Sequence, residues 1–385
     1  MKKIVFCFLG LLAVLYTASA QSYTFNHGPY LQELSEHAVT FVFTTSDKGF
    51  SWVEVKPDGG EAERHYTVRN GLRDAYNTFN VIRVENLRPD TRYQYRLCSK
   101  QIADFQPYKV TFGDSIVSPW RRFSTPDPKA TACSFIALSD MHQQPDKLGR
   151  LLNQAAVGSA DMIFYVGDMI NYYDNEETPF RSFIDKSVEL FASEKPFVLV
   201  RGNHETRGNM AREYARYVPK SSGKYYGAYR VGDIMFIVLD CGEDKPDDFW
   251  VYAGLTDFDG YRTEQAAWFG ELIRSKAYKS AKWRIVMNHF PPLSHMESDN
   301  PERHGIQDIT DKFLPLYNQA KIDLMISGHT HAYEFMSPDK YDRLTFPVIV
   351  NSTESVARID IDGRTLKAKV TDTGGNTLKE FTISK

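Results

Sequence analysis

Six short stretches of this chain are almost unbroken runs of apolar residues: 134–138, 161–166, 196–200, 234–240, 283–287 and 322–326. Each is only five to seven residues long and lacks polar alternation, which predicts strands buried on both faces rather than half-exposed ones. Between them, 146–155 and 263–275 repeat apolar residues at helical spacing. Short buried strands separated by helices predict a layered α/β domain.

The residues at the ends of these runs narrow the chemistry. The first run leads into Asp140 and His142, the second into Gly167-Asp168, and the third into Gly202-Asn203-His204-Glu205. The fifth leads into Asn288-His289 and the sixth into Gly328-His329-Thr330-His331. A turn alone explains any one of these, since Asp, Asn and Gly commonly leave strands. Five in register, holding half of the ten histidines, point instead to a ligand crevice at the carboxyl ends of the strands. Two cations about 3.5 to 4 Å apart need a bridging carboxylate, several terminal ligands and an open edge. Mixed Asp, Asn and His donors suit Fe, Mn or Zn, and the absence of thiolates argues against a closed structural zinc site.

Residues 21–123 read differently. Apolar and polar residues alternate over 38–45, 51–56, 77–84, 92–98 and 108–112, with turn residues between, which predicts a β-sandwich. Residues 124–132, with two prolines, read as a linker, and 133–385 as the α/β domain, with β structure returning from 346. Residues 1–20 combine Lys2 and Lys3, an apolar stretch and an Ala-x-Ala end, the pattern of a cleaved export signal. Its apolar stretch is shorter than the roughly 20 residues of a spanning helix, so no membrane span is expected after cleavage. An exported protein, periplasmic or secreted, is the expectation. Beyond the leader, Cys98, Cys133 and Cys241 allow at most one pair. The formal net charge of −3 has mixed signs and no long basic run, so no nucleic-acid footprint is present. No residue pattern fixes an oligomeric state.

Taken in order, DMH, GD, GNHE, NH and GHTH resemble the calcineurin-like metallophosphoesterase superfamily. With GNHE, NHFPP and GHTHAYE behind a β domain, the chain is similar to purple acid phosphatases and their bacterial relatives. The stretch 85–97 resembles fibronectin type III-like domains at Leu87, Pro89, Thr91, Tyr93 and Tyr95. These resemblances imply a four-layer α/β-β-α metallophosphoesterase domain after a fibronectin type III-like sandwich. They also imply two metal ions, Fe with Fe, Zn or Mn. Asp140, His142, Asp168 and His331 would hold the first ion, with Asp168 bridging to the second, held by Asn203, His289 and His329. His204 would act on the substrate as proton donor or oxyanion stabiliser.

The match has departures. Purple acid phosphatases carry a tyrosine three residues after the bridging aspartate and no histidine in the first motif; here Asn171 stands in that place and His142 is present. A tyrosinate ligand is therefore not expected, and His142 takes its coordination place. The reaction implied is hydrolysis of a small phosphomonoester by a metal-held hydroxide, with a phosphodiester as the alternative substrate. Asn203, His204, Tyr172 and His295 are the candidate substrate contacts, alongside Tyr173, His304 and the loop 241–262 with Phe249, Trp250 and Tyr252. The reading from another class is a cell-surface or glycan-binding protein with an inactive phosphoesterase domain. Against it, none of the seven expected ligands is missing.

Overall fold

Alternation in the first hundred residues builds one antiparallel sheet of seven strands around a long member, Val39–Pro57. The computed structural model describes residues 22–293, 295 and 299–385, so the leader read at 1–20 lies outside them. Sequence alternation predicts two strands over 38–57, but the chain passes through as one. Val39–Thr44 pairs with Asn77–Val84, the register shifts between Thr44 and Gly49, and Gly49–Pro57 pairs with Arg92–Gln106. A bulge of this kind bends a strand so that its two halves serve opposite faces of a sandwich. Gly49 permits the crossing, since a Cβ there would lie 2.0 Å from the Tyr23 hydroxyl. Phe41, Phe43, Val53, Val55, Tyr95 and Phe123 fill the core between the faces. The Tyr93 hydroxyl accepts a 2.8 Å bond from the Arg88 amide and so pins the turn that leads into its own strand.

All six apolar runs are strands. Three belong to a six-stranded sheet in the order Phe197–Val200, Met162–Val166, Ala132–Leu138, Ser355–Asp362, Thr365–Asp372 and Thr377–Ser384. Three belong to a second sheet in the order Gly227–Val231, Ile234–Val238, Trp283–Met287, Leu324–Ser327, Val348–Val350 and Glu334–Met336. The runs pair in parallel with their neighbours, so their carboxyl ends lie along one edge. Phe135, Ala137, Phe164 and Val166 point between the sheets, against Phe236, Val238, Ile285 and Ile326. The alternate residues Ile136, Leu138, Ile163 and Tyr165 face an outer helical layer. Burying each large apolar side chain contributes about 1.5 to 3 kcal/mol, which is why both faces of these strands are apolar.

Helix Pro145–Gln154 covers the first sheet, with Pro145 at its start and Leu148, Leu151 and Leu152 buried at helical spacing. Phe258–Leu272 and Arg303–Ala320 cover the second. The latter has a polar start at Arg303 and His304 and buries Ile306, Ile309, Phe313 and Tyr317 beyond it. The result is a helix–sheet–sheet–helix stack.

The N-terminal sheet is joined to this stack by a shared core. Tyr30 and Val42 belong to the same buried cluster as Phe197, Tyr214 and Tyr217. The Tyr30 hydroxyl donates to the Tyr217 carbonyl (2.7 Å), Tyr95 donates to the Ser193 carbonyl (2.6 Å), and Gln32 Nε2 donates to the Phe197 carbonyl (3.2 Å). Cys98, Cys133 and Cys241 are all buried and free, so no pair forms. Among the described residues no helix is long and apolar enough to cross a membrane.

Candidate metal centre

Parallel pairing delivers the five strand ends to one place. Asp140, His142, Asp168 and His331 form one group of donor atoms, all within 4.8 Å of one another, and Asp168, His289 and His329 form another. Asp168 belongs to both. The amide oxygen of Asn203 lies 3.2 Å from His329 Nδ1, while its Nδ2 donates to Asp244 (3.3 Å), which orients the oxygen toward the second group.

The local backbone is held in a costly shape. Asp140 (φ +57°), His142 (+44°), Asp168 (+56°), His329 (+73°) and His331 (+58°) are all left-handed. Such non-glycine conformations cost of order 1 to 3 kcal/mol each and persist only where neighbours enforce them. Here the amides of Asp140 and His142 donate to the carbonyls of Gly167 and Asp168 (both 3.0 Å). The His329 amide donates to the Asp140 carboxylate (3.1 Å). Fully buried Glu205 accepts from the amides of Asp168, Met169 and Gly202 at 2.8 to 2.9 Å. The glycines of the motifs are steric necessities: a Cβ on Gly202 would stand 2.2 Å from Asp168 Oδ1, and one on Gly328 would stand 2.4 Å from Asp140 Oδ2.

The donor atoms are left open. His289 donates Nδ1–H to the Val166 carbonyl (2.7 Å), which leaves Nε2 as the nitrogen that faces the centre. That Nε2 lies 3.0 Å from Asp168 Oδ2 yet off the line of a hydrogen bond, and it is buried without a hydrogen-bond partner, as is His329 Nε2. His142 donates Nδ1–H to Asn171 Oδ1 (3.0 Å), turning Nε2 toward His331 Nε2 at 3.0 Å. His331 Nε2 is 3.5 Å from Asp140 Oδ1. Donors each about 2.0 to 2.2 Å from one cation at right angles lie about 3 Å apart, so the set fits cations. Unpartnered buried nitrogens are otherwise expensive.

Electrostatics agree with that fit. Burial pulls His142 down to about 4 and His329 down to about 3, so both rings are neutral lone-pair donors near pH 7. Burial pushes Asp140 up to about 6. Burial also works against charge on Asp168 and His289, but each outweighs it for the other: Asp168 falls below the usual carboxylate range and His289 rises to about 10. A cation between them takes over this pairing by displacing the proton.

Other predicted residues fall on either side of the centre. His204 donates Nδ1–H to the Asn171 carbonyl (2.8 Å), and its Nε2 stands 3.9 Å from Asp168 Oδ2. Tyr172 is exposed, and Tyr173 is fully buried in the core. His295 pairs with Glu334 (3.3 Å) and His304 with Asp259 (2.8 Å); neither joins the donor groups. Tyr252 donates to Glu243 (3.0 Å), while Trp250 is exposed. Sequence reasoning missed Asn171 as the support of His142, Glu205 as the staple of the loops, and Arg207. The Arg207 guanidinium donates to His204 Nε2 (3.0 Å), Glu243 (2.9 Å) and Asp244 (3.1 Å). The only signal for Arg207 was a cation directly after GNHET, and its partners are 36 and 37 residues away.

Residues 133–333 match the family described as calcineurin-like phosphoesterase. Probable purple acid phosphatase 20 of Arabidopsis thaliana is 25% identical over 206 residues, covering 50% of this chain and 44% of that protein. Purple acid phosphatase 21 of the same plant is 22% identical over 277 residues, covering 68% and 55%. The chain thus spans about half the length of the curated relatives it matches. Among solved structures, a purple acid phosphatase from yellow lupin seeds superposes with a TM-score of 0.67 at 15% identity, covering 92% of this chain and 74% of that one. PhoD superposes with a TM-score of 0.60 at 12% identity, covering 92% of each chain. At such identities the structures speak for the fold alone. With the family match extending over more than half of the chain and ending just past the last histidine pair, this protein belongs to the calcineurin-like phosphoesterase family.

Proposed function

We propose that this chain is an exported hydrolase of small phosphomonoesters that works with two bound cations. The observation that carries this reading is Asp168, shared by two groups of donors at the strand ends, with the Nε2 atoms of His289 and His329 buried there without a hydrogen-bond partner. Asp140, His142 and His331 hold the first cation and Asn203, His289 and His329 the second, with Asp168 bridging. The donor chemistry suits Fe with Fe, Zn or Mn. When bound, such a pair supplies Lewis acidity and lowers the pKa of water.

The chain's own residues do the rest. Neutral imidazoles keep the centre less negative for an anionic ester. His204 stands clear of the donors, and with Nδ1 tied to the Asn171 carbonyl its Nε2 faces the departing alkoxide. Arg207 donates to that same nitrogen, so Nε2 rests as an acceptor, and His204 protonates the alkoxide only after Nε2 has taken a proton from water and the guanidinium has moved aside. Export rests on the pattern of residues 1–20, and the division into sandwich (21–123), linker (124–132) and phosphoesterase domain (133–385) completes the proposal. The pinned Tyr93 corner supports reading the sandwich as fibronectin type III-like.

The test is turnover of an aryl phosphate and a bis-aryl phosphate by metal-loaded protein. The monoester should be the faster substrate; a faster diester would favour phosphodiesterase action, and no turnover of either would favour the binding-protein reading. His204→Ala should keep both cations and slow esters with poor leaving groups most. Loss of metal in that variant would refute its assigned role.

A further inference from the structure

A cavity of about 700 Å³ lies beside the centre, within the size range of small-molecule sites. Arg207 is their common wall: it lines the cavity, and its Nη1 is 3.0 Å from His204 Nε2. The cavity therefore lies on the side where, in the proposed reaction, the alkoxide departs.

Its lining combines an apolar wall with cations. Tyr225, Tyr252, Leu255 and Phe258 form the wall, and Leu255 at the mouth is 69% exposed. Three of the four cations are already compensated: Arg201 by Asp240 (2.7 Å), Arg207 by Glu243 (2.9 Å) and Lys245 by Asp244 (2.8 Å). Arg212, exposed to solvent, makes no ion pair among the described residues; the lining carboxylate Glu243 is already paired with Arg207, and Arg201 Nε is buried there without an acceptor. An uncovered apolar wall facing an uncompensated guanidinium selects a ligand with the same two properties.

We infer that this cavity receives the organic part of the phosphoester, and that this part is an aromatic ring carrying an anionic group of its own, held by Arg212. The inference rests on the phosphomonoesterase reading. Hydrolysis adds water across the P–O bond: the water's oxygen and one hydrogen end on phosphate, its other proton reaches the departing oxygen by way of His204 Nε2, and the hydroxyl compound is left in the cavity.

The test compares 4-carboxyphenyl phosphate with phenyl phosphate on the full, metal-loaded chain. In the wild type the carboxylated ester should have the higher kcat/KM, and Arg212→Glu should lower the ratio of the two values about tenfold. Leu255→Trp, which fills the mouth, should raise KM for both aryl esters more than for methyl phosphate. A ratio unchanged by Arg212→Glu overturns the inference. If the wild type turns over neither ester, the phosphomonoesterase reading fails by itself, and calorimetry with 4-hydroxybenzoate decides the cavity. Binding to the wild type that Arg212→Glu abolishes upholds it, and no binding overturns it.

Discussion

Two buried polar regions of this molecule are built on opposite principles. At the seam between the N-terminal sheet and the phosphoesterase stack, the Tyr30 and Tyr95 hydroxyls each end on a carbonyl. There His27 lies between Asp185 (2.9 Å) and Glu177 (3.3 Å), stacked 4.0 Å from Phe180. At the strand ends, five donor-bearing residues are left-handed, and the Nε2 atoms of His289 and His329 have no hydrogen-bond partner. A seam that ties its hydroxyls and its imidazole to partners, with only Gln32 Oε1 and Arg121 Nε left unpaired among its described side chains, holds two bodies together. A centre that leaves them open while bracing a strained backbone is prepared for something from outside.

The difference can be broken deliberately. The largest effect is expected on the centre side from Asn171→Ala, which frees His142 to rotate. Losing such a support typically costs about 10- to 100-fold in metal affinity or activity, so the cation on Asp140, His142 and His331 should weaken by that much in a chelator competition. The melting temperature should barely move. An equal weakening of both cations would mean that Asn171 supports the whole edge rather than one ligand. Iron-loaded wild type should also lack a tyrosinate band in the visible spectrum, since Tyr172 is exposed and Tyr173 is buried in the core.

On the seam side the signs reverse. Tyr95→Phe leaves the buried Ser193 carbonyl unpaired, which should cost about 1 to 3 kcal/mol by denaturant unfolding. Turnover per folded molecule should be retained; a matching loss of kcat would show that the seam shapes the centre.

The smallest effect is a pH dependence. The hydrogen bond to Asp185 leads the raising of the His27 pKa above its ordinary value, against the opposing effect of burial, and Glu177 adds to it. A group raised in the folded state stabilises fully below its unfolded value, about 6.5, and that contribution fades as pH climbs through the folded value. Stability of the wild type should therefore fall as pH rises from about 6.5, and His27→Gln should flatten that part of the profile. An identical slope in both proteins would remove His27 from the account.

Much of the fold was legible because its signals are local. Strands buried on both faces announce themselves as unbroken apolar runs, and the donors come within a few residues of each run's end. Less legible were features set by distant partners. The continuous strand Val39–Pro57 reads as two because its crossing at 45–49 is polar and ends in glycine, yet it is held by Arg92–Gln106 on one side and Asn77–Val84 on the other. Glu205 looked like the tail of a motif and proved to be the acceptor for three backbone amides. The left-handed conformations of Asp140, His142 and Asp168 carry no sequence mark, since glycine, the usual occupant, is absent from those positions. Arg207 and its carboxylate partners meet only through the folded loop after Asp240.

The claim at the centre is that one carboxylate, Asp168, joins two cation sites. Elemental analysis of the wild type and of Asp168→Ala, loaded side by side, tests it most directly. The account predicts two cations per wild-type chain and the loss of both from the variant. A wild type that saturates with one cation, or a variant that keeps two, would contradict it.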